Sequence, residues 1–419
     1  MGCEIDSIHP ISFEYLGNRA YYRIIMRTVK HIFMNAAIVT PEEIMRHAAI
    51  TVEDGIIQSV DAENRVEPSA GTNLFDCTDK YVLPGFIDVH THGGAGFDFK
   101  DEAPDALPAL SDYYYSHGVT TVLATLSPLS HDLLVQAVSR LAKFCGQNRG
   151  RTNIVGIHLE GPYINRSMSG GNKKEYIEQP DFDRWREVFD AGEGFIRLMT
   201  VAPELKGIDR LIEDATKHGV VIALGHSTAD GATADRAVRL GARQVTHLFN
   251  AMRGLHHREP DLLSAALLSD SLDAQIIADG VHVHPDIIGL AIKTKTTEHL
   301  MLITDSMRAA GLPDGRYDSA GTTVTVQKGI SRMPDGTLAG STLVFEKGLR
   351  LIASFPGMDL PSAAKMASLN AARSLGLQKE TGSIEVGKSA EIVVVDSAFN
   401  VEMTFRKGKR VFVRDRIGG

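Results

Sequence analysis

The chain has 419 residues, and 44 Lys and Arg stand against 52 Asp and Glu, so the formal net charge is −8. This length fits two or three domains, or one barrel-sized domain with an accessory module. The negative charge disfavours a general electrostatic grip on nucleic acid, and no apolar run approaches the ~20 residues that span a bilayer. Three cysteines cannot all pair within one chain. We therefore expect a reducing, cytoplasmic setting with no membrane partner.

The first 25 residues differ from those that follow. They lack the continuous apolar stretch of a signal peptide, and a second methionine, Met26, comes directly after them. Met1-Gly2-Cys3 is similar to an acylation signal, but Asp6 stands where Ser or Thr is required. We predict that residues 1–25 are an N-terminal extension that takes no part in catalysis.

Both ends of the remaining chain predict β-structure. Short runs of β-branched residues alternate with turn residues such as Asp54-Gly55. We predict strands at Ile38-Val39, Ala49–Val52, Ile56–Val60, Ala390–Val395, Val401–Phe405 and Arg410–Val413. We therefore expect one small β-sandwich domain, assembled from residues 26–80 and 376–419.

The middle of the chain, residues 81–375, alternates short apolar strands with amphipathic helices such as Asp132–Phe144 and Gly207–His218. Eight such units favour an α/β fold, a (β/α)₈ TIM-like barrel, over a doubly wound sheet. The predicted strands are Gly85–Val89, Thr120–Thr125, Ile154–His158, Ile196–Val201, Val220–Leu224, Gln244–His247, Gln275–Ala278 and Leu300–Thr304.

Six of these strands end on or just before a histidine or a carboxylate. The first continues into His90-Thr91-His92, and residues two apart on a strand point to the same side, so both imidazoles can face one cation. Each such residue alone also fits a surface histidine, a helix cap or a salt-bridge partner. The others are Glu160, His226, His247, His282 and Asp305.

Together these residues indicate a metal site. The catalytic residues of barrel enzymes gather at the carboxyl ends of the strands. Stability alone gives no reason to place so many ionisable groups on one rim, because buried charges are costly unless they are paired or bound to metal. Nitrogen and oxygen ligands without cysteine suit Zn²⁺, Fe²⁺ or Mn²⁺.

The run Pro84–Gly93 together with Asp305 resembles the amidohydrolase superfamily. Longer motifs are similar to its N-acetylglucosamine-6-phosphate deacetylase branch, and the similarity runs from about Met34 to the C-terminus. These motifs are His158–Pro162, Gly225–Ser227, Thr246–Met252, Ala278–His282, Thr304-Asp305, Gly336–Ser341 and Ser368–Ala372.

The resemblance implies one or two divalent ions per subunit, with zinc expected first and iron, manganese or cobalt as alternatives. Glu160, His226 and His247 would hold the principal ion. His90 and His92 would hold a second ion, with Glu160 bridging the two. A bound cation would make hydroxide available near neutral pH and polarise the amide carbonyl.

Asp305, by the same resemblance, is the catalytic residue that takes a proton from water and gives it to the departing amine. A pure metal ligand or a strand cap is the alternative for this residue. One position departs from the family pattern. In the loop after Glu160 the family typically has a histidine that orients the acyl carbonyl, and here Asn172 follows Gly170-Gly171. Asparagine donates a hydrogen bond but cannot become cationic, so carbonyl polarisation would depend more on the metal.

Phosphate recognition is implied for a separate set of residues. Arg258 matches the family arginine that contacts the sugar phosphate across a dimer boundary, and its fork geometry suits phosphate oxygens. We therefore expect a homodimer in which Arg258 serves the neighbouring site; without the resemblance, a surface salt bridge would be the simpler reading. The other substrate contacts implied are Gly171, Asn250, Ala251, His282, Leu338, Ala339 and Gly340.

The expected function is metal-dependent deacetylation of N-acetylglucosamine 6-phosphate in amino-sugar catabolism. An N-acetylgalactosamine-6-phosphate deacetylase is an alternative, because few contacts read the stereochemistry at C4. An amidohydrolase of non-phosphorylated N-acyl or cyclic amides is a second alternative, and it would not need Arg258. A sugar-phosphate binder or metal store without activity is a third, and the presence of Asp305 disfavours it.

Overall fold

The computed structural model describes residues 29–62, 65–66, 68–319 and 322–415. The predicted extension, residues 1–25, lies outside this part of the chain. Within the described residues, no helix is long and apolar enough to cross a membrane.

The first strands begin a mixed sheet. Strand β1 pairs antiparallel with β2 and parallel with both β4 and β5. The turn between β2 and β3 is the predicted one: Asp54 and Gly55 both have positive φ, 49° and 79°, which a tight hairpin requires. The strands are β1 (Lys30–Val39), β2 (Ile44–Glu53), β3 (Ile56–Ala62), β4 (Asn73–Asp76) and β5 (Tyr81–Pro84).

Eight parallel strands then form a nearly closed barrel, in which β6 is followed by β9 to β15 in chain order. The seam closes through backbone hydrogen bonds from Asp305 to His90, 2.9 Å, and from His92 to Ser306, 2.8 Å. Every strand end lies within two residues of its prediction. The strands, with a small hairpin β7–β8, are β6 (Phe86–Thr91), β7 (Gly93–Gly94), β8 (Phe97–Asp98), β9 (Val119–Leu126), β10 (Ile154–Glu160), β11 (Ile196–Val201), β12 (Val221–Leu224), β13 (Ala242–Val245), β14 (Asp273–Ile277) and β15 (Leu300–Ile303).

Helices pack around the barrel, and several of them bury a single stripe. In α4 the buried residues are Ile208, Leu211, Ile212 and Ala215, spaced by three and four positions. The two helices named from the sequence are α2 and α4. The helices are α1 (Ala106–Ser116), α2 (His131–Gln147), α3 (Phe182–Ala191), α4 (Ile208–Lys217), α5 (Gly231–Leu240), α6 (Leu262–Leu268), α7 (Pro285–Lys295), α8 (Phe345–Ala353), α9 (Leu360–Ala364) and α10 (Asn370–Ser374).

A three-stranded antiparallel sheet, which the sequence analysis did not predict, interrupts the barrel pattern after β15. It consists of β16 (Gly315–Ser319), β17 (Thr322–Gln327) and β18 (Ile330–Arg332). An isolated bridge between Arg332 and Leu338 and a hydrogen bond from Ala339 N to Ser331 O, 3.3 Å, tie the following loop to this sheet. The sheet thereby holds residues 337–340 at the mouth of the barrel.

The last strands return to the mixed sheet. They are β19 (Ile392–Val395), β20 (Val401–Arg406) and β21 (Lys409–Val413), and β19 pairs antiparallel with β5. One eight-stranded sheet results, in the order β21-β20-β19-β5-β1-β2-β3, with β4 on β1. The predicted α/β fold, a barrel with a small β domain built from both chain ends, is confirmed. The sheet continues to Pro84, beyond the residue 80 boundary expected from the sequence.

Candidate active site

Two groups of three side chains meet at the carboxyl ends of the barrel strands. Within each group the candidate ligand atoms all lie within 4.8 Å of one another. The groups are Glu160, His226 and His247, and His90, His92 and Asp305.

Glu160 stands between the two groups. Its Oε1 lies 3.1 Å from Nε2 of His226 and 3.3 Å from Nε2 of both His247 and His90. Its Oε2 lies 3.6 Å from Nε2 of His92. One carboxylate therefore contacts all four imidazoles, which is the arrangement that a ligand shared by two ions requires.

The local backbone directs several of these side chains inward. His226, His247 and Asp305 each lie two residues beyond the end of a strand and have positive φ, 47°, 27° and 47°. Such values are uncommon outside glycine and are costly, so they persist only where the surrounding structure enforces them. Each bends the chain just as it leaves the barrel, and the contacts above show that the three side chains converge.

The other ring nitrogen of three histidines is held by a hydrogen bond. Nδ1 of His90 donates to Oε1 of Gln275, 2.9 Å, and Nδ1 of His226 donates to the carbonyl oxygen of Met168, 2.6 Å. Nδ1 of His92 lies 3.1 Å from Oγ of Ser127. These contacts orient the rings so that Nε2 faces the cluster, as in protein metal sites.

The donor set fits a divalent cation. Nε2 of His90 is buried and has no hydrogen-bond partner in the described part of the chain. Nε2 of His226 and Nε2 of His247 lie only 3.0 Å apart. A cation satisfies these converging nitrogens and the carboxylates together, and a set of nitrogen and oxygen donors suits Zn²⁺, Fe²⁺ or Mn²⁺.

The charges of the protein groups are strongly coupled. Burial lowers the pKa of His90, but Asp305 and Glu160 outweigh burial and raise the pKa to about 9. Burial raises the pKa of Asp305, yet His90 and His92 outweigh it and lower the pKa to about 2. The histidines likewise hold the pKa of Glu160 well below its ordinary value against burial. The carboxylates are therefore ionised, and a binding cation competes with protons for the imidazoles.

A cavity of about 270 Å³ opens beside the cluster. Every substrate contact predicted from the sequence lines it, except Arg258, and so does Asn172, the predicted carbonyl-orienting residue. Nδ2 of Asn172 donates a hydrogen bond to Oε2 of Glu160, 3.3 Å away. The predicted substrate contacts in the lining are Gly171, Asn250, Ala251, His282, Leu338, Ala339 and Gly340.

Arg258 lies apart from this cavity. It belongs to an exposed stretch, residues 253–260, and its Nη1 lies 2.6 Å from Nε2 of His257. It is not among the residues that line the cavity.

The cavity also contains residues that sequence reasoning missed. Lys100 and Asp98 line it, and Nζ of Lys100 lies 2.9 Å from Oδ2 of Asp98. Ser319, at the end of β16, lines it as well. The sequence could have pointed to Lys100, because it lies in the loop after the first barrel strand and barrel enzymes build their active sites from such loops. Gln275 lies inside β14, and no local pattern marks it.

His282 forms a close pair with Asp279. Nδ1 of His282 lies 2.7 Å from Oδ2 of Asp279. Burial lowers the pKa of His282, but the hydrogen bond and charge of Asp279 outweigh burial and raise the pKa above its ordinary value. The raised pKa favours the protonated imidazole, and a cation in the cavity wall suits an anionic ligand.

Comparison with known proteins agrees with this fold. The amidohydrolase family matches residues 81–411, and the chain belongs to that family. Membership implies a divalent metal, and the two groups of side chains described above are its candidate ligands. The predicted superfamily is thereby confirmed.

Relatives confirm the branch as well, the N-acetylglucosamine-6-phosphate deacetylases. The chain is 36% identical over 388 residues to the N-acetylglucosamine-6-phosphate deacetylase of Bacillus subtilis, covering 91% of this chain and 97% of the relative. It is 32% identical over 379 residues to the N-acetylgalactosamine-6-phosphate deacetylase of Escherichia coli O157:H7, covering 90% and 98%.

A solved structure is similar throughout. It is a mutant N-acetyl-D-glucosamine-6-phosphate deacetylase from Mycobacterium smegmatis in complex with N-acetyl-D-glucosamine-6-phosphate. The TM-score is 0.85 at 33% identity, and the match covers 92% of this chain and 100% of that one.

Proposed function

We propose that the protein hydrolyses the acetamide bond of N-acetylglucosamine 6-phosphate to acetate and glucosamine 6-phosphate, in amino-sugar catabolism. One observation carries the proposal: the carboxylate of Glu160, which contacts four imidazoles, borders a cavity that is also lined by His282, the partner of Asp279. The names of the relatives above point to the same substrate class.

We assign the principal ion to Glu160, His226 and His247, and a second ion to His90 and His92 with Glu160 shared. Zinc is the ion we expect, and iron, manganese or cobalt are the alternatives for the same nitrogen and oxygen donors. A bound divalent cation polarises the amide carbonyl and lowers the pKa of water toward neutrality.

Asp305 is the proposed proton carrier. Its Oδ1 lies 3.2 Å from Nε2 of His92 and 3.5 Å from Nε2 of His90, and the low pKa keeps it ionised. It accepts a proton from the attacking water while the new carbon–oxygen bond forms. It then delivers that proton to the sugar nitrogen as the carbon–nitrogen bond breaks, so the amine leaves neutral.

The remaining cavity residues would hold the sugar phosphate. His282, whose raised pKa favours the charged form, offers its imidazole to the phosphate. Asn250 and the Ala251 backbone offer further polar groups, and residues 338–340 with Gly171 lie against the sugar. Asn172 keeps Glu160 in place through its hydrogen bond and offers its remaining N–H to the acyl oxygen.

We further propose a cytoplasmic homodimer in which Arg258 completes the neighbouring cavity. The exposed stretch 253–260 supports this, because Leu255 there is 54% exposed and Arg258 does not line its own cavity. The two described cysteines, Cys77 and Cys145, are buried and free, which fits a reducing compartment.

The direct test is acetate release by the metal-replete protein from acetylated glucosamine, galactosamine and mannosamine, each with and without the 6-phosphate. We expect release from phosphorylated glucosamine first. Faster release from the galactosamine compound would assign the other epimer. Release only from unphosphorylated compounds, or from none, would overturn the proposal in favour of another amidohydrolase or a binding protein.

Two variants test the assigned roles. Asp305→Asn is expected to lower kcat by about 10²–10⁴-fold while metal content is kept, and the exposed Asp286→Asn serves as the control.

Arg258→Ala is expected to raise KM for the phosphorylated substrate only. Full activity of Arg258→Ala on phosphorylated substrate would contradict its assignment.

A further inference from the structure

A second cavity, of about 440 Å³, lies at the opposite end of the barrel. Ile154, the first residue of β10, lines this cavity, whereas Glu160, the last residue of β10, lines the catalytic one. Six residue steps along a strand put these two ends about 20 Å apart. The second cavity also contains Lys407, from the turn between β20 and β21, so it lies where the barrel meets the mixed sheet.

The walls of this second cavity carry an excess of positive charge. Four cationic side chains line it against two acidic ones, although the whole chain has a net charge of −8. An enclosed patch of one sign concentrates ions of the other sign. The cationic residues are Arg149, Arg197, Arg406 and Lys407, and the acidic residues are Glu380 and Glu391.

Arg406 is the most informative of these residues. It is only 8% exposed, and its guanidinium donates from Nε to the carbonyl oxygen of Thr120, 3.4 Å away. Among the described residues its two terminal nitrogens have no partner. Arg197 is half-buried and uses only Nη2, which donates to the carbonyl oxygen of Leu375 at 3.0 Å. Several guanidinium donors are thus free beside one cavity, and their planar geometry matches phosphate oxygens.

Two buried polar atoms in the same wall also lack partners. Oε2 of Glu391 and Oγ1 of Thr381 make no hydrogen bond in the described part of the chain. Oε1 of Glu391 accepts a hydrogen bond from Ser389, 3.1 Å. Burial raises the pKa of the Glu391 carboxyl despite the opposing charge of Arg406. The raised pKa favours the neutral carboxylic acid, which repels an anion less than a carboxylate does. Unpaired buried acceptors of this kind suit the hydroxyl groups of a ligand.

We propose that this cavity is a second binding site, for a small phosphate monoester that carries hydroxyl groups, such as a hexose phosphate. Arg406, Arg197 and Lys407 bind the phosphate, and Glu391 and Thr381 hydrogen-bond the hydroxyl groups. The volume lies within the range of ordinary small-molecule sites. The proposal does not depend on the proposed function, because none of these residues lines the catalytic cavity.

The test is a calorimetric titration of the metal-replete full chain with glucose 6-phosphate, in the wild type and in Arg197→Gln and Lys407→Gln. We choose these two residues because loss of the more buried Arg406 would disturb the fold. We expect each variant to weaken one binding event by about fivefold or more while hydrolysis is unchanged. Lys409→Gln is the matched control, since Lys409 is exposed two residues further on, at the start of β21, and does not line the cavity.

The outcomes separate the two parts of the proposal. Titrations of Arg197→Gln and Lys407→Gln that match the wild type, or the absence of any binding at millimolar probe, would overturn the site. Inorganic phosphate is the second probe. If it binds this site as tightly as glucose 6-phosphate, the assigned contacts of Glu391 and Thr381 to hydroxyl groups are wrong.

Discussion

Oε1 of Gln275 accepts a hydrogen bond from Nδ1 of His90, 2.9 Å away, inside the barrel. Nε2 of Gln275 in turn donates to Oε1 of Gln244, 2.8 Å, and Nε2 of Gln244 donates to Oγ of Ser374, 2.6 Å. This chain of amides fixes which atom of Gln275 faces the histidine. With Nδ1 held in this way, Nε2 of His90 faces Glu160 and Asp305.

Loss of this contact is expected to weaken metal binding. In Gln275→Leu the imidazole of His90 loses its orienting acceptor, and we expect affinity for the proposed second ion to fall about 10- to 100-fold. Titration of the metal-free protein with zinc measures this affinity. Gln327→Leu, at an exposed position of β17, is the control. Unchanged affinity in Gln275→Leu would show that His90 is held by its packing alone.

The His282–Asp279 pair predicts a pH dependence of substrate binding. Because the pKa of His282 is raised, its positive charge is present below that pKa and is lost as the pH rises through it. We expect KM for the phosphorylated substrate to rise with pH in that interval, with kcat little changed by this group. In Asp279→Asn the rise should begin at lower pH.

A similar pair outside the cavity provides the control for that experiment. Nδ1 of His299 lies 2.9 Å from Oδ1 of Asp273. Asp273→Asn should leave the pH profile of KM unchanged. A profile of Asp279→Asn that coincides with the wild type would contradict a charged His282 at the phosphate.

Asn172 is expected to affect kcat more than KM. Asn172→Ala removes the hydrogen bond to Oε2 of Glu160, and loss of one such bond to a carboxylate predicts about a tenfold lower kcat. Asn172→His restores a donor and should keep most of the activity. Asn35→Ala, which removes a hydrogen bond from Nδ2 of Asn35 to the carboxylate of exposed Asp76, is the control. If kcat of Asn172→Ala equals that of the wild type, Asn172 takes no part in the reaction.

Metal removal is expected to destabilise the fold as well as stop hydrolysis. A tightly bound ion contributes about 4 kcal/mol at a thousandfold excess over Kd, so chelation should lower the thermal midpoint by about 5 °C. Added zinc should restore it. In Glu160→Gln, which lacks the shared carboxylate, the midpoint should not respond to chelator. A wild-type midpoint unaffected by chelation would argue against the buried ion.

The barrel strands and the proposed metal ligands could be predicted because their signal is local. A strand buried on both faces is apolar along its length, so a histidine or carboxylate at its end is visible in the sequence alone. This reasoning identified Glu160, His226, His247 and Asp305 as candidates that converge. It did not reveal the positive φ values with which the chain turns these side chains inward.

Contacts between residues far apart in the chain determined the remaining features of the fold and the site. The sequence by itself determined the eight barrel strands, most strands of the mixed sheet and the polar residues at the barrel strand ends, since these depend on neighbouring residues. It did not reveal the three-stranded sheet β16–β18. Only the tertiary structure decided that β19 pairs with β5, that Gln275 orients His90, that Lys100 lines the cavity, and that Arg258 lies away from it. Each of these features depends on residues far apart in the chain or on how a loop packs, and no local pattern of residues encodes it.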